Sequence, residues 1–302
     1  MENLTVYHAG EIAMQERAGV RLQAERGQRM IRDFMPDQHR DFFAMLPFLL
    51  VGHVDAAGQP WASMLVGEPG FATSPDPRHL RIAPLPLPHH PRPVVGDVLG
   101  LLGIQPETRR RNRMNGRVVA VAGDGSFTVQ VQQSFGNCPQ YIQPRQARPV
   151  IRPALPQRAE GPILSAEAAA LIERSDTFFI ASAAKGAASG AVGDPSQGVD
   201  VSHRGGLPGF VLRQDDALLI PDYAGNNLFN TYGNLLLEPR AGLLFFDPVS
   251  GDMLQLHGLA EILWDGPIVE RLPQARRAMR FRITGGLWLP AAIPLQFGPP
   301  IT

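Results

Sequence analysis

The sequence predicts a mainly β fold with flanking helices, an α+β chain made of two similar barrel-like halves. Three observations lead there. Two pentapeptides are nearly the same, Gly67-Glu68-Pro69-Gly70-Phe71 and Gly206-Leu207-Pro208-Gly209-Phe210, and each follows an apolar run, Phe48-Leu49-Leu50-Val51-Gly52 or Phe178-Phe179-Ile180-Ala181-Ser182. Downstream, the stretch from Ile104-Gln105-Pro106 to Asn115-Gly116-Arg117 aligns without a gap on Phe246-Asp247-Pro248 to His257-Gly258-Leu259. A repeat of this length signals paired domains and not a short-period solenoid. Finally, short apolar runs punctuated by turn residues outnumber helical patterns, which favours small closed barrels over a doubly wound parallel sheet. Two similar halves can form an internal pseudo-dimer, with a ligand cleft where they meet.

Residues 1–45 read as a helical extension. Ala18 to Met30 is rich in helix formers, and Pro36-Asp37 precedes Phe42, Phe43 and Leu46 at helical spacing. This extension is expected to pack across the first barrel. Residues 46–150 form the first repeat, with turns at Asp55-Ala56-Ala57-Gly58 and Gly123-Asp124-Gly125 and a half-buried strand in Phe127-Thr128-Val129-Gln130-Val131-Gln132. Between Pro144 and Pro162 the chain carries Pro, Arg and Gln without apolar periodicity, which places a linker at 151–164. The second repeat, 165–302, opens with Ser165 as N-cap of a helix Ala166 to Arg174, followed by a strand Thr177 to Ser182. Glycine-rich Lys185 to Gly198 reads as a long loop. Strands are expected at Gly209 to Leu212, Ala217 to Ile220, Leu243 to Phe246 and Met253 to Leu259. In the tail, Met279, Phe281 and Ile283 alternate with Arg280 and Arg282, the pattern of a closing strand.

Composition narrows the function. Lys+Arg and Asp+Glu both number 28, so no electrostatic footprint recommends a nucleic-acid partner. Only one of the basic residues is a lysine, Lys185, so an anion must be held by arginine, backbone N–H groups or neutral side chains. The single cysteine, Cys138, cannot form an internal disulfide and reads as a packed thiol. The start Met1-Glu2-Asn3-Leu4-Thr5 lacks signal-peptide character, and no apolar run approaches the ~20 residues of a membrane helix. A cytoplasmic protein with no membrane partner is expected. The histidines show no metal-ligand spacing, so no metal site is expected.

Three segments could carry chemistry. In Gly198 to Phe210, the glycines let N–H groups approach an anion while Ser202, His203, Arg204 and Gly205 offer donors around one phosphate. The bland reading is a surface loop. Asp222 to Asn234, with Asn226, Asn227, Asn230 and Asn234, holds far more amide than a turn requires, although it also suits the cap of a helix Leu228 to Leu237. In Thr108 to Gly116, an extended chain puts Arg109, Arg111 and Arg113 on one face, as a ligand wall or as a solvated hairpin.

These motifs in this order resemble the pyridoxamine 5'-phosphate oxidase-related family of flavin-nucleotide-binding proteins, in its tandem-repeat branch. The second half carries it through Ser202 to Phe210, Asp222 to Asn227, Asn234 to Phe245 and Leu256 to Glu261. The first half does so through His8 to Glu11, Gln15 to Val20, Arg109 to Gly116 and Gly136 to Ile142. The resemblance implies two tandem FMN-binding split β-barrels with FMN where they meet. Ser202, His203 and Arg204, with Gly225, Asn226 and Asn227, would grip the phosphate, Gly205 and Asp222 would also line the cofactor site, and Arg111 or Arg113 would reach the flavin's pyrimidine edge. It implies a flavin-dependent oxidoreductase acting on a small-molecule redox substrate or NAD(P)H, as an internal pseudo-dimer or a homodimer. The alternatives are a non-catalytic flavin-binding or storage module, or a barrel holding haem or deazaflavin. The phosphate turn lacks the lysines, and Phe281 to Leu289 lacks the Arg-x-His pattern, that family oxidases use on pyridoxamine phosphate. That particular activity is therefore not expected.

Overall fold

The computed structural model describes residues 6–187 and 196–301. The polar start at 1–5 and most of the glycine-rich stretch read as a loop lie outside the described residues. The fold is mostly β with flanking helices. Its first sheet contains β1 (Phe48–Val54), β2 (Pro60–Val66), β3 (Ala72–Asp76), β4 (His79–Ile82), β5 (Val98–Gln105), β6 (Arg110–Val121) and β7 (Phe127–Gly136). Two short connector strands, β8 (Ala147–Pro149) and β9 (Arg158–Glu160), precede the second sheet. That sheet contains β10 (Thr177–Ala183), β11 (Val199–Gly205), β12 (Leu212–Gln214), β13 (Ala217–Asp222), β14 (Arg240–Phe246), β15 (Met253–Leu263) and β16 (Arg277–Leu289), and β17 (Leu295–Phe297) follows it.

The two sheets have the same strand order, β2-β1-β5-β6-β7-β4-β3 and β11-β10-β14-β15-β16-β13-β12. Every named pairing is antiparallel, and the long hairpins β6/β7 and β15/β16 each slip register at a glycine, Gly116 and Gly258, which align in the sequence repeat. A Cβ at either glycine would overlap a carbonyl of the facing strand, Gln130 or Arg282, so the bulge itself demands glycine. In each half a single core draws on strands from across its sheet: Leu49, Leu65, Leu80 and Val129 in the first, Phe178, Leu218, Leu243 and Phe281 in the second. Each sheet therefore curls around its own interior.

Strand alternation then builds the seam. Leu49 and Val51 face the first core, while Phe48 and Leu50 turn outward into a third core with Phe179, Ala181, Val201 and Leu244 of the other half. Two glycines set the approach. A Cβ at Gly100 of β5 would overlap the Val199 carbonyl of β11, and one at Gly242 of β14 would overlap the Pro60 carbonyl of β2. Gly100 and Gly242 align in the repeat, as do Pro60 and Val199, so the seam has a pseudo-twofold axis.

The helices correct several expectations. The described chain opens with α1 (Ala9–Arg17), which helix-former content did not reveal, and continues with α2 (Arg21–Gly27) and α3 (Asp37–Ala44). His8 and Glu11 cap α1 reciprocally, Gly10 N–H donating to His8 Nδ1 and His8 N–H to the Glu11 carboxylate. Only α3 packs as expected on the first core, through Phe42 and Phe43. After α4 (Ala166–Arg174), the second half carries α5 (Asn230–Leu237), and α1 lies against this helix instead of the first barrel. A Cβ at Gly10 would overlap the Gly233 carbonyl, so two glycines permit that crossing. α5 begins at Asn230 and not Leu228, because Phe229 before it adopts a left-handed φ of 64°. β12 begins at Leu212, since Gly209 turns at φ 83°. The Pro-rich connector is pinned, with β8 pairing β17 and β9 pairing β16.

Candidate functional site

β11 is an edge strand of its sheet, so it presents both faces and its free edge to the first half. Ser202, His203, Arg204, Gly205, Asp222, Gly225, Asn226 and Asn227 of the second half line one cleft with Arg111 and Arg113 of the first. All ten residues that the resemblance gave to the cofactor thus converge on the seam, although they lie on three separate segments of chain. Arg109 does not join them. It sits in a left-handed turn before β6, exposed, so the arginine face consists of Arg111 and Arg113 alone.

Arg113 is the buried anchor. Its guanidinium donates to Asp200 Oδ1 at 2.7 Å, to the Val201 carbonyl at 3.1 Å and to Ser202 Oγ. Asp200 also accepts from Asn115 at 2.7 Å and from Asn234 at 3.0 Å. Behind it stands Glu11 of α1, which accepts from Asn230 at 2.5 Å. Burial, with the Asp200 charge adding, pushes the Glu11 carboxyl up to about 8.

Arg111 donates to His203 Nδ1 at 2.9 Å. A guanidinium can only donate, so the neutral imidazole carries its proton on Nε2. Burial holds His203 well below its ordinary range, and the charges of Arg111 and Arg204 add to this. Burial also brings Arg111 down to about 10, with Arg204 and Arg113 repelling it and Cys138 opposing that shift. Asp222 pairs with Arg277 at 2.9 Å; burial raises its carboxyl while Arg204 and Arg277 restrain it. Among the described residues, neither Arg111 nor Arg204 has a carboxylate within ion-pair distance, and their Nε atoms are buried without a hydrogen-bond partner. Two cations facing one cleft call for an anion.

Not every expected donor is free. Ser202 Oγ already accepts from Arg113 and from Thr231 at 3.0 Å, leaving only its own proton to offer. Asn226 Oδ1 accepts from the Leu228 N–H at 3.2 Å, so it caps the turn as well as lining the cleft. A Cβ on Gly225 would meet nothing within 4 Å, which leaves room beside this backbone. Sequence reasoning missed Arg276, Arg277, Tyr141 and Tyr232, which also line the cleft. The pairing of Asp222 with Arg277 across β13 and β16 was hidden because only Arg280 and Arg282 stood out in the tail alternation. Cys138, read as a packed thiol, is half-buried on the cleft wall.

The enclosed region of the cleft measures about 110 Å³. That is smaller than a cavity of roughly 150 Å³ that admits benzene. It would enclose one end of a nucleotide, with the rest along the open cleft. The donor set fits a phosphate: Arg204 and Arg111 supply charge, and the Gly225 region supplies open backbone.

The pseudo-twofold places a counterpart of this site on the other side of the seam, and it is chemically different. Arg111 and Arg113 align with Met253 and Gln255, and His203 and Arg204 align with Met64 and Leu65. Met64, Leu65 and Met253 are buried in the apolar cores.

The two curled antiparallel sheets, packed along one seam, form a split-barrel fold. Residues 164–286 match the family model described as pyridoxamine 5'-phosphate oxidase. No curated protein matches the chain. Among solved structures, HupZ of Group A Streptococcus is similar at 12% identity, with 40% of this chain on 90% of that one and a TM-score of 0.31. HutZ of Vibrio cholerae, described as a haem storage protein, is similar at 13% identity, covering 42% and 95% of the two chains, with a TM-score of 0.29. A FAD-binding protein of Mesorhizobium loti is similar at 14% identity, covering 44% and 98%, with a TM-score of 0.29. Among the described residues, no helix is long and apolar enough to cross a membrane, and no group of three His, Cys, Asp or Glu could hold a metal.

Proposed function

We propose that this protein binds one FMN in the arginine-lined cleft and works in the cytoplasm as a flavin-dependent oxidoreductase on a small redox substrate or NAD(P)H. The supporting observation is that two arginines with no carboxylate partner among the described residues, Arg111 and Arg204, come from different halves to face one cleft. In this reading 46–150 and 165–302 are the two barrel repeats, 1–45 is the extension and 151–164 the linker. When bound, the isoalloxazine supplies the electron chemistry, and the protein supplies position, charge and access. Arg204 neutralises the phosphate, with Gly225, Asn226 and Asn227 beside it. Arg111 holds positive charge at the seam, where it favours electron-rich ligand atoms, and Arg113, paired with Asp200, anchors the wall beside it. His203, through Nδ1, holds the Arg111 guanidinium in place at the seam.

Mass spectrometry of the ligand released from purified protein, with its absorption spectrum, tests the cofactor. A yellow protein that releases FMN is expected. Colourless protein that takes up no added FMN overturns the reading. Release of haem or a deazaflavin replaces the cofactor. Rapid reduction by NADH or NADPH followed by reoxidation is expected of the enzyme, whereas a storage module reduces slowly or not at all.

A further inference from the structure

A second cavity of about 290 Å³ opens beside the first, and nothing in the cofactor reading uses it. Its walls are Phe48, Ile104, Phe179, Phe246 and Phe297, drawn from both halves, with His203 as the one residue that also lines the arginine cleft. The repeat pairs Ile104 with Phe246 and Pro106 with Pro248, and all four line this cavity, so it straddles the pseudo-twofold axis. It is therefore not the counterpart of the arginine cleft, which lies off the axis.

Four features specify an occupant. Protein interiors are close-packed, so an aromatic-walled space of this size is a poor home for water and a good one for an apolar molecule. Its volume is nearly double the ~150 Å³ that admits benzene, which sets the scale at about two fused rings. The two arginines at its rim are each neutralised by a neighbour, Arg145 by Asp176 at 2.6 Å and Arg174 by Asp247 at 2.9 Å, so no spare charge waits for an ionic ligand. Of the buried polar side chains in its lining, Ser175 is spent on the Leu171 carbonyl and His203 keeps one group unspent. His203 is 6% exposed, and with Nδ1 accepting from Arg111, its Nε2–H has no partner among the described residues.

We propose that this axial cavity is a second ligand site, taking a neutral, planar and largely apolar molecule of about two aromatic rings, with His203 Nε2–H donating to its single acceptor. The site stands apart from FMN and does not require the cofactor reading.

Prodan, a neutral naphthalene ketone whose emission moves to the blue in apolar surroundings, tests it on the full chain. Saturable, blue-shifted binding of one prodan per chain is expected, with affinity unchanged within about twofold by saturating FMN. Ile104→Trp, which fills the cavity, should weaken prodan at least tenfold. Val249→Trp should do the same from the exposed mouth, where it puts folding at little risk. His203→Phe should weaken it several-fold. Failure to bind, indifference to both tryptophan variants, or displacement by FMN would overturn the proposal, and indifference to His203→Phe would overturn the histidine contact. A protein that binds prodan but no FMN sinks only the cofactor reading.

Discussion

Arg113 and Gln255 make the same pair of contacts in mirrored places. Arg113 donates to the Val201 carbonyl and Ser202 Oγ, and Gln255 donates to the Ala62 carbonyl at 2.8 Å and Ser63 Oγ at 2.9 Å. The seam hydrogen bonds are thus kept on both sides, while the charge is kept on one. A chain with two equivalent phosphate sites would need a cation at both places. FMN titration followed by fluorescence quenching should therefore saturate at one equivalent per chain. Gln255→Ala should leave FMN affinity unchanged while lowering stability by roughly 1–3 kcal/mol, since it strands two buried acceptors. Two equivalents of FMN would contradict this.

Arg204→Ala and Arg111→Ala each remove a cation that has no carboxylate partner among the described residues. Calorimetry should find FMN bound roughly 10- to 100-fold more weakly by either variant, the range expected from ~1.5–3 kcal/mol for a charged hydrogen bond. Riboflavin, which lacks the phosphate, should be nearly indifferent to Arg204→Ala.

Arg113→Met acts on the fold before it acts on any ligand. The Arg113 side chain is 4% exposed, and its removal leaves Asp200 buried with only amide donors. Chemical denaturation should show a loss of roughly 3–5 kcal/mol. Adding Asp200→Asn should restore some of that loss, because the stranded charge goes with it.

Gly100→Val and Gly242→Val each push a side chain into the backbone of the facing barrel. Either should cost roughly 1–3 kcal/mol or more, and neither contact can relax by a rotamer change alone. Gly123→Ala is the control, since a Cβ there meets nothing within 4 Å. Thermal melts of the three variants decide it.

Stability should peak near neutral pH. Glu11 holds its proton up to about 8 in the folded chain and loses it near the ordinary value of 4.5 when unfolded. The folded state binds more protons between those values, so stability falls as pH rises through that window. The facing groups are Asp200, which raises the shift, and His8, Asn230 and Arg113, which oppose it. His53 and His90 are depressed by burial to about 4 and about 3, and His203 is depressed as well. Their contribution is full above 6.5 and lost as pH falls toward the folded values. Melting temperatures of Glu11→Gln should lose the decline between pH 6.5 and 8 while keeping the acidic one.

The strands were legible because alternation and the duplicated Gly-x-Pro-Gly-Phe turns are local signals. Gly67 and Gly206 each carry an N–H bonded to an equivalent carbonyl, Pro47 and Asp176, and both pack on the phenylalanine that ends the turn. The convergence of the ten cleft residues was legible only through motif order, because no local rule brings β6 of one half to β11 of the other. What stayed hidden depends on contacts distant in sequence. α1 is an ordinary polar segment until Gly10 meets Gly233, and Arg277 matters only because Asp222 lies opposite it. Ser202 looked like a free donor because nothing in its neighbourhood reveals that Arg113 and Thr231 occupy it.

The covalent tether between the barrels has a consequence that the glycine-tight seam makes concrete. In an assembly of identical chains, a change at Arg111 would strike both clefts at once, so one could not be surrendered while the other was kept. Joined in a single polypeptide, Met253 and Gln255 could become mortar without touching the arginines. Because the joint closes within one molecule, it should survive dilution that would drive untethered barrels apart.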